Sequence, residues 1–246
     1  MRISQRPTTA AACLAAVLSL AATAAGAQQS QNWKWCVNKD KEFSADMQIK
    51  GCAAIIQSGR ENNDNTAIAY NNRGLAHYDK DDNDRAIKDF SEAIRRNPNF
   101  GRAYSARANA YSDKGEHNRA INDYNEALRI DPKNPVALNN RCDELLVIGQ
   151  AAAALPDCDE SLRIRPGHAN ALMHRGNVYL RLGQLDKAMA DYESTLTLDA
   201  KNPRALYGRG LVKSRQGDAA GSAGDIASAK ALDASIPAEF AERGLR

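Results

Sequence analysis

Apolar and polar residues between Tyr70 and Pro98 recur with the period of a helix. Gly74 lies on a first segment. Ala86, Phe90 and Ala93 lie on a second, at spacings of four and three. The polar run Lys80-Asp81-Asp82-Asn83 separates them. Pro98 ends the second segment, because proline lacks an amide proton and clashes with the preceding turn. The pattern predicts two antiparallel helices, and the small residues Gly74 and Ala86 permit close approach.

The same pattern returns along the chain. Arg73, Arg107, Arg141, Arg175 and Arg209 are each 34 residues apart, as are Asp89, Asp123, Asp157, Asp191 and Asp225. Pro98, Pro132 and Pro166 keep that interval. A fixed period of this size predicts stacked helix pairs, with one continuous core and no domain boundary. The repeats are 67–100, 101–134, 135–168, 169–202 and a weak fifth at 203–236.

Repeat 2 carries Tyr104, Ala108, Tyr111, Ala120, Tyr124, Ala127 and Pro132, and repeat 4 carries Leu172, Gly176, Tyr179, Ala188 and Tyr192. These offsets resemble the tetratricopeptide repeat. The resemblance implies an all-α, right-handed α-solenoid of antiparallel helix hairpins. It also implies a non-enzymatic scaffold that binds a protein or peptide.

The start of the chain changes the picture of where it works. Arg2 and Arg6 precede an alanine-rich apolar run from Ala10 to Ala25, then Ala25-Gly26-Ala27. That is the pattern of a secretory signal peptide over 1–27, cleaved after Ala27, and it places the protein in the periplasm or outside the cell. The whole chain has 33 basic and 30 acidic residues; loss of Arg2 and Arg6 leaves it near +1. So small a charge gives no nucleic-acid footprint. No other apolar run is long enough for a membrane span.

Residues 28–66 read as a degenerate helix pair ahead of the repeats. A polar start at 28–32 leads to Trp33 and Trp35, then to a helix from Ser44 to Ser58 closed by Gly59; 60–66 is a polar connector. The tryptophans are expected to cover the open end of the array, the alternative being a ligand platform. Residues 237–246 are expected to form a second cap, with Phe240 on the last hairpin.

Cys36 and Cys52 are 16 apart, and so are Cys142 and Cys158. The matched spacing favours two local disulfides over free thiols. The geometry is expected to be wide, near the ~7 Å limit between α-carbons, if the glycine and alanine offsets face each other. No histidine stands at ligand spacing beside either pair, so no metal or other cofactor is expected.

The five Arg–Asp sets, Arg73/Asp89 to Arg209/Asp225, read as structural ion pairs between the helices of each hairpin, the alternative being a charged ligand track. His77, His117, His168 and His174 are scattered, and no catalytic or phosphate-binding motif appears. The resemblance implies a concave groove lined by the first helix of each repeat. There it places Asn71, Arg102, Asn109, Asn139, Asn177 and Arg204. An asparagine both donates and accepts, so it can pair with a peptide backbone. These asparagines are expected to face solvent in the free protein. The expected function is an envelope interaction scaffold, or alternatively a structural spacer of an envelope assembly.

N-terminal sequencing of the protein from the cell envelope should begin at Gln28 or within a residue or two. A full-length protein beginning at Met1 in the cytosol would contradict export.

Overall fold

The computed structural model describes residues 26–245, so the apolar leader lies almost wholly outside it. Among the described residues the regular structure is helical, with no strand. The chain divides into two compact units, the first ending at Pro98 and the second starting at Asn99. That corrects the expectation of an array without a boundary. Each repeat buries its surface only against its neighbours, so a period in sequence does not require one unbroken core.

The first unit holds α1 (26–37), α2 (Ala45–Ser58), α3 (Asn63–Tyr78) and α4 (Asn83–Arg96). The segment 28–32 is helical, not a loose lead-in. Gln28 Nε2 donates to Asn32 Oδ1 at 3.0 Å, one turn on, and Gln29 Nε2 donates to Glu61 at 2.7 Å. Glu61 also accepts from the Trp33 indole N–H at 3.0 Å and from Asn65 Nδ2 at 2.7 Å. Those bonds, Trp33 first, hold its carboxyl below the usual range. Trp33 packs beside the Cys36, Cys52, Ile55 and Ala69 core. The connector is shorter than expected, because the Asn62 side chain accepts from Asn65 N and α3 starts at Asn63.

The second unit holds α5 (Gly101–Asp113), α6 (His117–Ile130), α7 (Pro135–Val147), α8 (Ala151–Ile164), α9 (Ala169–Arg181), α10 (Leu185–Leu198), α11 (Pro203–Arg215), α12 (Ala219–Leu232) and α13 (Ile236–Glu242). Consecutive helices pair as hairpins. Gly115, Gly149, Gly183 and Gly217 turn the chain between them at φ of 71° to 87°; Asp81 takes the same turn in repeat 1 at φ 58°. Aspartate is one of the few other residues that tolerates that region.

Each hairpin closes on one contact. A Cβ placed on Gly74 would stand 2.7 Å from the Phe90 ring, and one on Gly176 would stand 2.9 Å from the Tyr192 ring. Phe90 and Tyr192 are wholly buried. In repeat 3 the same two positions are Cys142 and Cys158, whose α-carbons are 5.6 Å apart; Cys36 and Cys52, across α1 and α2, are at 4.6 Å. Both separations lie inside the usual range for a bridge. The wide geometry expected from the sequence is therefore wrong: the glycine position faces the aromatic position directly.

One residue before each of these positions stand the arginine and the aspartate. In all five repeats Nε and one terminal nitrogen of the arginine donate to the two carboxylate oxygens at 2.6 to 2.8 Å. The aspartates are 5 to 8% exposed. Arg141 and Arg175 also reach the preceding repeat: Arg141 donates to Asn125 at 2.8 Å and Arg175 to Asp159 at 3.0 Å. The fork thus ties helix to helix and, in repeats 3 and 4, repeat to repeat.

Asp123→Ala removes one carboxylate fork. Breaking a buried pair costs on the order of 3–5 kcal/mol and a solvated one well under ~1. The arginine stems keep contact with water, so an intermediate loss, about 1–3 kcal/mol, is expected. Chemical denaturation measures it, and unchanged stability would refute the bracing role.

Candidate functional site

The first helices of repeats 3, 4 and 5, α7, α9 and α11, lie side by side in the second unit. Their common face is covered by the end of the chain. Ile236, Phe240 and Leu245 are 0 to 2% exposed and belong to the same core as Leu146, Val178 and Tyr179. The Phe240 ring meets Tyr207 of α11 edge-on, with centroids 4.9 Å apart. Such aromatic pairs add ~0.5–1.5 kcal/mol beyond the area they bury.

Polar contacts fix the segment to all three helices. Arg204 of α11 donates to Glu239 at 2.6 Å. Arg243 forks onto Asp143 of α7 at 2.8 and 3.0 Å. Arg181 of α9 donates to the backbone carbonyl of Gly244. Residues 236–245 therefore lie against the last hairpin, as expected of a cap, and also reach back to α7 and α9. The sequence signal was present but short: Ile236 and Phe240 share one helical face, and Arg243 follows within a turn.

The charges under the segment are organised around Asp143. Burial raises its pKa, but His174, Arg243 and Arg204 outweigh that and bring it down to about 2. Asp143 is thus ionised at any pH above about 4, and its pairing with Arg243 persists across that range. His174 is pushed below its ordinary value by burial, against the pull of Asp143. Its Nδ1 is buried without a hydrogen-bond partner. Next to the segment a cleft of about 440 Å³ opens towards α5 and α6. There Glu144, 4% exposed, accepts from Ser112 Oγ and pairs with His117 Nδ1 at 2.8 Å. His117 is the first residue of α6 rather than a turn residue.

The asparagines are not where the sequence reading put them. Asn71, Asn139 and Asn177 are 3, 5 and 1% exposed, not solvent-facing. Asn177 Oδ1 accepts from the Tyr192 hydroxyl at 2.8 Å, and Asn109 Oδ1 accepts from the Tyr124 hydroxyl and from Asn140 at 3.1 Å. Both asparagines therefore satisfy buried tyrosines of their own hairpins. Asn71 and Asn139 donate to the neighbouring Asn72 and Asn140 at 3.3 and 3.2 Å, and each leaves a buried Oδ1 without a partner. Of the two arginines, Arg102 is exposed on α5, whereas Arg204 is engaged by Glu239.

Two family models match the chain: "Tetratricopeptide repeat" over residues 67–135 and "TPR repeat" over 176–217. No curated protein matches it. Among solved structures, a tetratricopeptide repeat protein from Parabacteroides merdae ATCC 43184 is 18% identical, covering 87% of this chain and 88% of its own, with a TM-score of 0.70. YrrB, described as a TPR protein with an unusual peptide-binding site, is 18% identical, with 79% and 98% covered and a TM-score of 0.61. PilW, a type IV pilus biogenesis factor, is 18% identical, with 68% and 77% covered and a TM-score of 0.62. At these identities the likeness is one of fold. The 34-residue period, the small residue that receives a ring in the hairpins of repeats 1 and 4, and the two family matches agree that the chain carries tetratricopeptide repeats.

Proposed function

We propose that this protein is an exported scaffold of the cell envelope that holds a peptide or partner protein against the first helices of its repeats. Scaffolding of protein–protein contacts is the general work of the fold. The observation that carries the finer reading is the seat on α7, α9 and α11. A polypeptide segment already lies there, held by an apolar anchor, two ion pairs and a bond to a backbone carbonyl. Those are the contacts by which a peptide from another chain is gripped. YrrB, described by its peptide-binding site, lends support by analogy of fold.

Export agrees with the leader pattern and with the cysteines. In an oxidising compartment Cys36 with Cys52 and Cys142 with Cys158 would be bonded. Each bridge closes a short loop, worth roughly 3 kcal/mol in the chain-entropy model. Non-reducing peptide mapping of envelope protein should recover these two pairs, and four alkylatable thiols would contradict the reading.

The partner should be recovered by pull-down from the envelope fraction and titrated against variants. Asn109 and Asn177 are poor probes, since each bond they lose to a buried tyrosine costs about 0.5–1.5 kcal/mol of stability. Arg102 is exposed and free of that objection. Arg102→Ala should weaken binding about ten- to a hundredfold, the size of one charge-assisted hydrogen bond. Glu193→Ala, exposed on the second helix of repeat 4, should leave binding unchanged. Equal loss in both variants, or loss only in Glu193→Ala, would place the partner elsewhere.

A further inference from the structure

We propose that residues 236–245 are an exchangeable occupant of the α7–α9–α11 face, and that the same face takes a partner's short amphipathic helix of like chemistry in their place. This rests on the peptide-scaffold reading above and names its ligand. The occupant's contacts define the ligand: an aliphatic residue, an aromatic one turn later, an acid beside the aromatic and an arginine within the next turn. Each has its counterpart on the seat. The aliphatic and aromatic residues fill the core beside Tyr207, the acid meets Arg204, and the arginine forks onto Asp143.

Three features make the segment able to leave. α13 is 7 residues long, and a helix so short is not stable alone in water, so its order comes from the seat. Only Asp233, Ala234 and Ser235 join it to α12, and Ala234 and Ser235 are exposed. The seat itself is built on three helices, each packed against its own hairpin partner. The cleft beside it, with Ser112, His117 and Glu144, gives a longer incoming chain room that the resident segment leaves open.

The resident segment lowers the apparent affinity for any competitor by the fraction of time it is docked. A segment seated nine-tenths of the time weakens binding about tenfold. Exchange is read with a dye-labelled synthetic peptide of residues 235–245 and the full chain. Arg243→Glu in the chain sets an acid against Asp143 and loosens the resident segment without altering the seat. The wild-type peptide should bind this variant at least about tenfold more tightly than it binds the wild-type chain. A peptide carrying Phe240→Ala should fail to bind. Equal binding to both chains, or none to a variant of unchanged helicity, would overturn the proposal.

A second arm guards against misfolding of that variant. A chain with Asp143→Arg should reject the wild-type peptide and accept one with Arg243→Asp. Indifference to that charge exchange would also overturn the proposal. The peptide assay needs no natural partner, so an empty pull-down bears on the scaffold reading alone, and absent peptide exchange bears on this proposal alone.

Discussion

Every hairpin in this chain depends on one close approach, in which a small residue of the first helix receives the side chain opposite it on the second. Glycine meets an aromatic ring in Gly74 with Phe90 and Gly176 with Tyr192, glycine meets Ile226 at Gly210, and cysteine meets cysteine in Cys142 with Cys158. The neighbours of that contact take their roles from it. The arginine one residue before the glycine meets the aspartate one residue before the ring, and a two-pronged fork results. The asparagine one residue after the glycine in repeat 4 reaches the hydroxyl at the tip of the ring. A methyl group added at Gly176 would press on Tyr192 and disturb all three interactions at once.

The repeats were legible because the approach is repeated. A spacing of 16 separates arginine from aspartate, glycine from the ring, and cysteine from cysteine, and all three are one contact seen at adjacent positions. If glycine is set against alanine instead, the cysteine spacing looks awkward. The burial of the asparagines is hidden in the sequence for a related reason. A hydrophilic side chain on the first helix looks solvated until its partner, a tyrosine hydroxyl 15 residues on, is brought alongside. The division at Pro98 had no sequence signal, since the period runs through it unbroken.

The end of the chain was the hardest part to read, because it belongs to no repeat. Periodicity says nothing about a segment that occurs once, and the pairing of Arg243 with Asp143 spans 100 residues. Yet this segment covers the first-helix face of repeats 3 to 5. It lies on a seat built from ordinary repeat positions, Asp143, Arg204 and Tyr207, and that seat is where we propose a partner is held. Fold, charge and occupancy therefore converge on the same three helices.

The most direct measurement is hydrogen exchange along the free full-length chain near neutral pH. The backbone of residues 236–245 carries few hydrogen bonds that would survive outside the seat, so its protection reports docking. Seated as described, Phe240 and Leu245 should exchange markedly more slowly than the same residues in an isolated peptide, and Arg243→Glu should remove that protection while α7, α9 and α11 keep theirs. Exchange of residues 236–245 at the peptide's own rate in the wild-type protein would contradict the account.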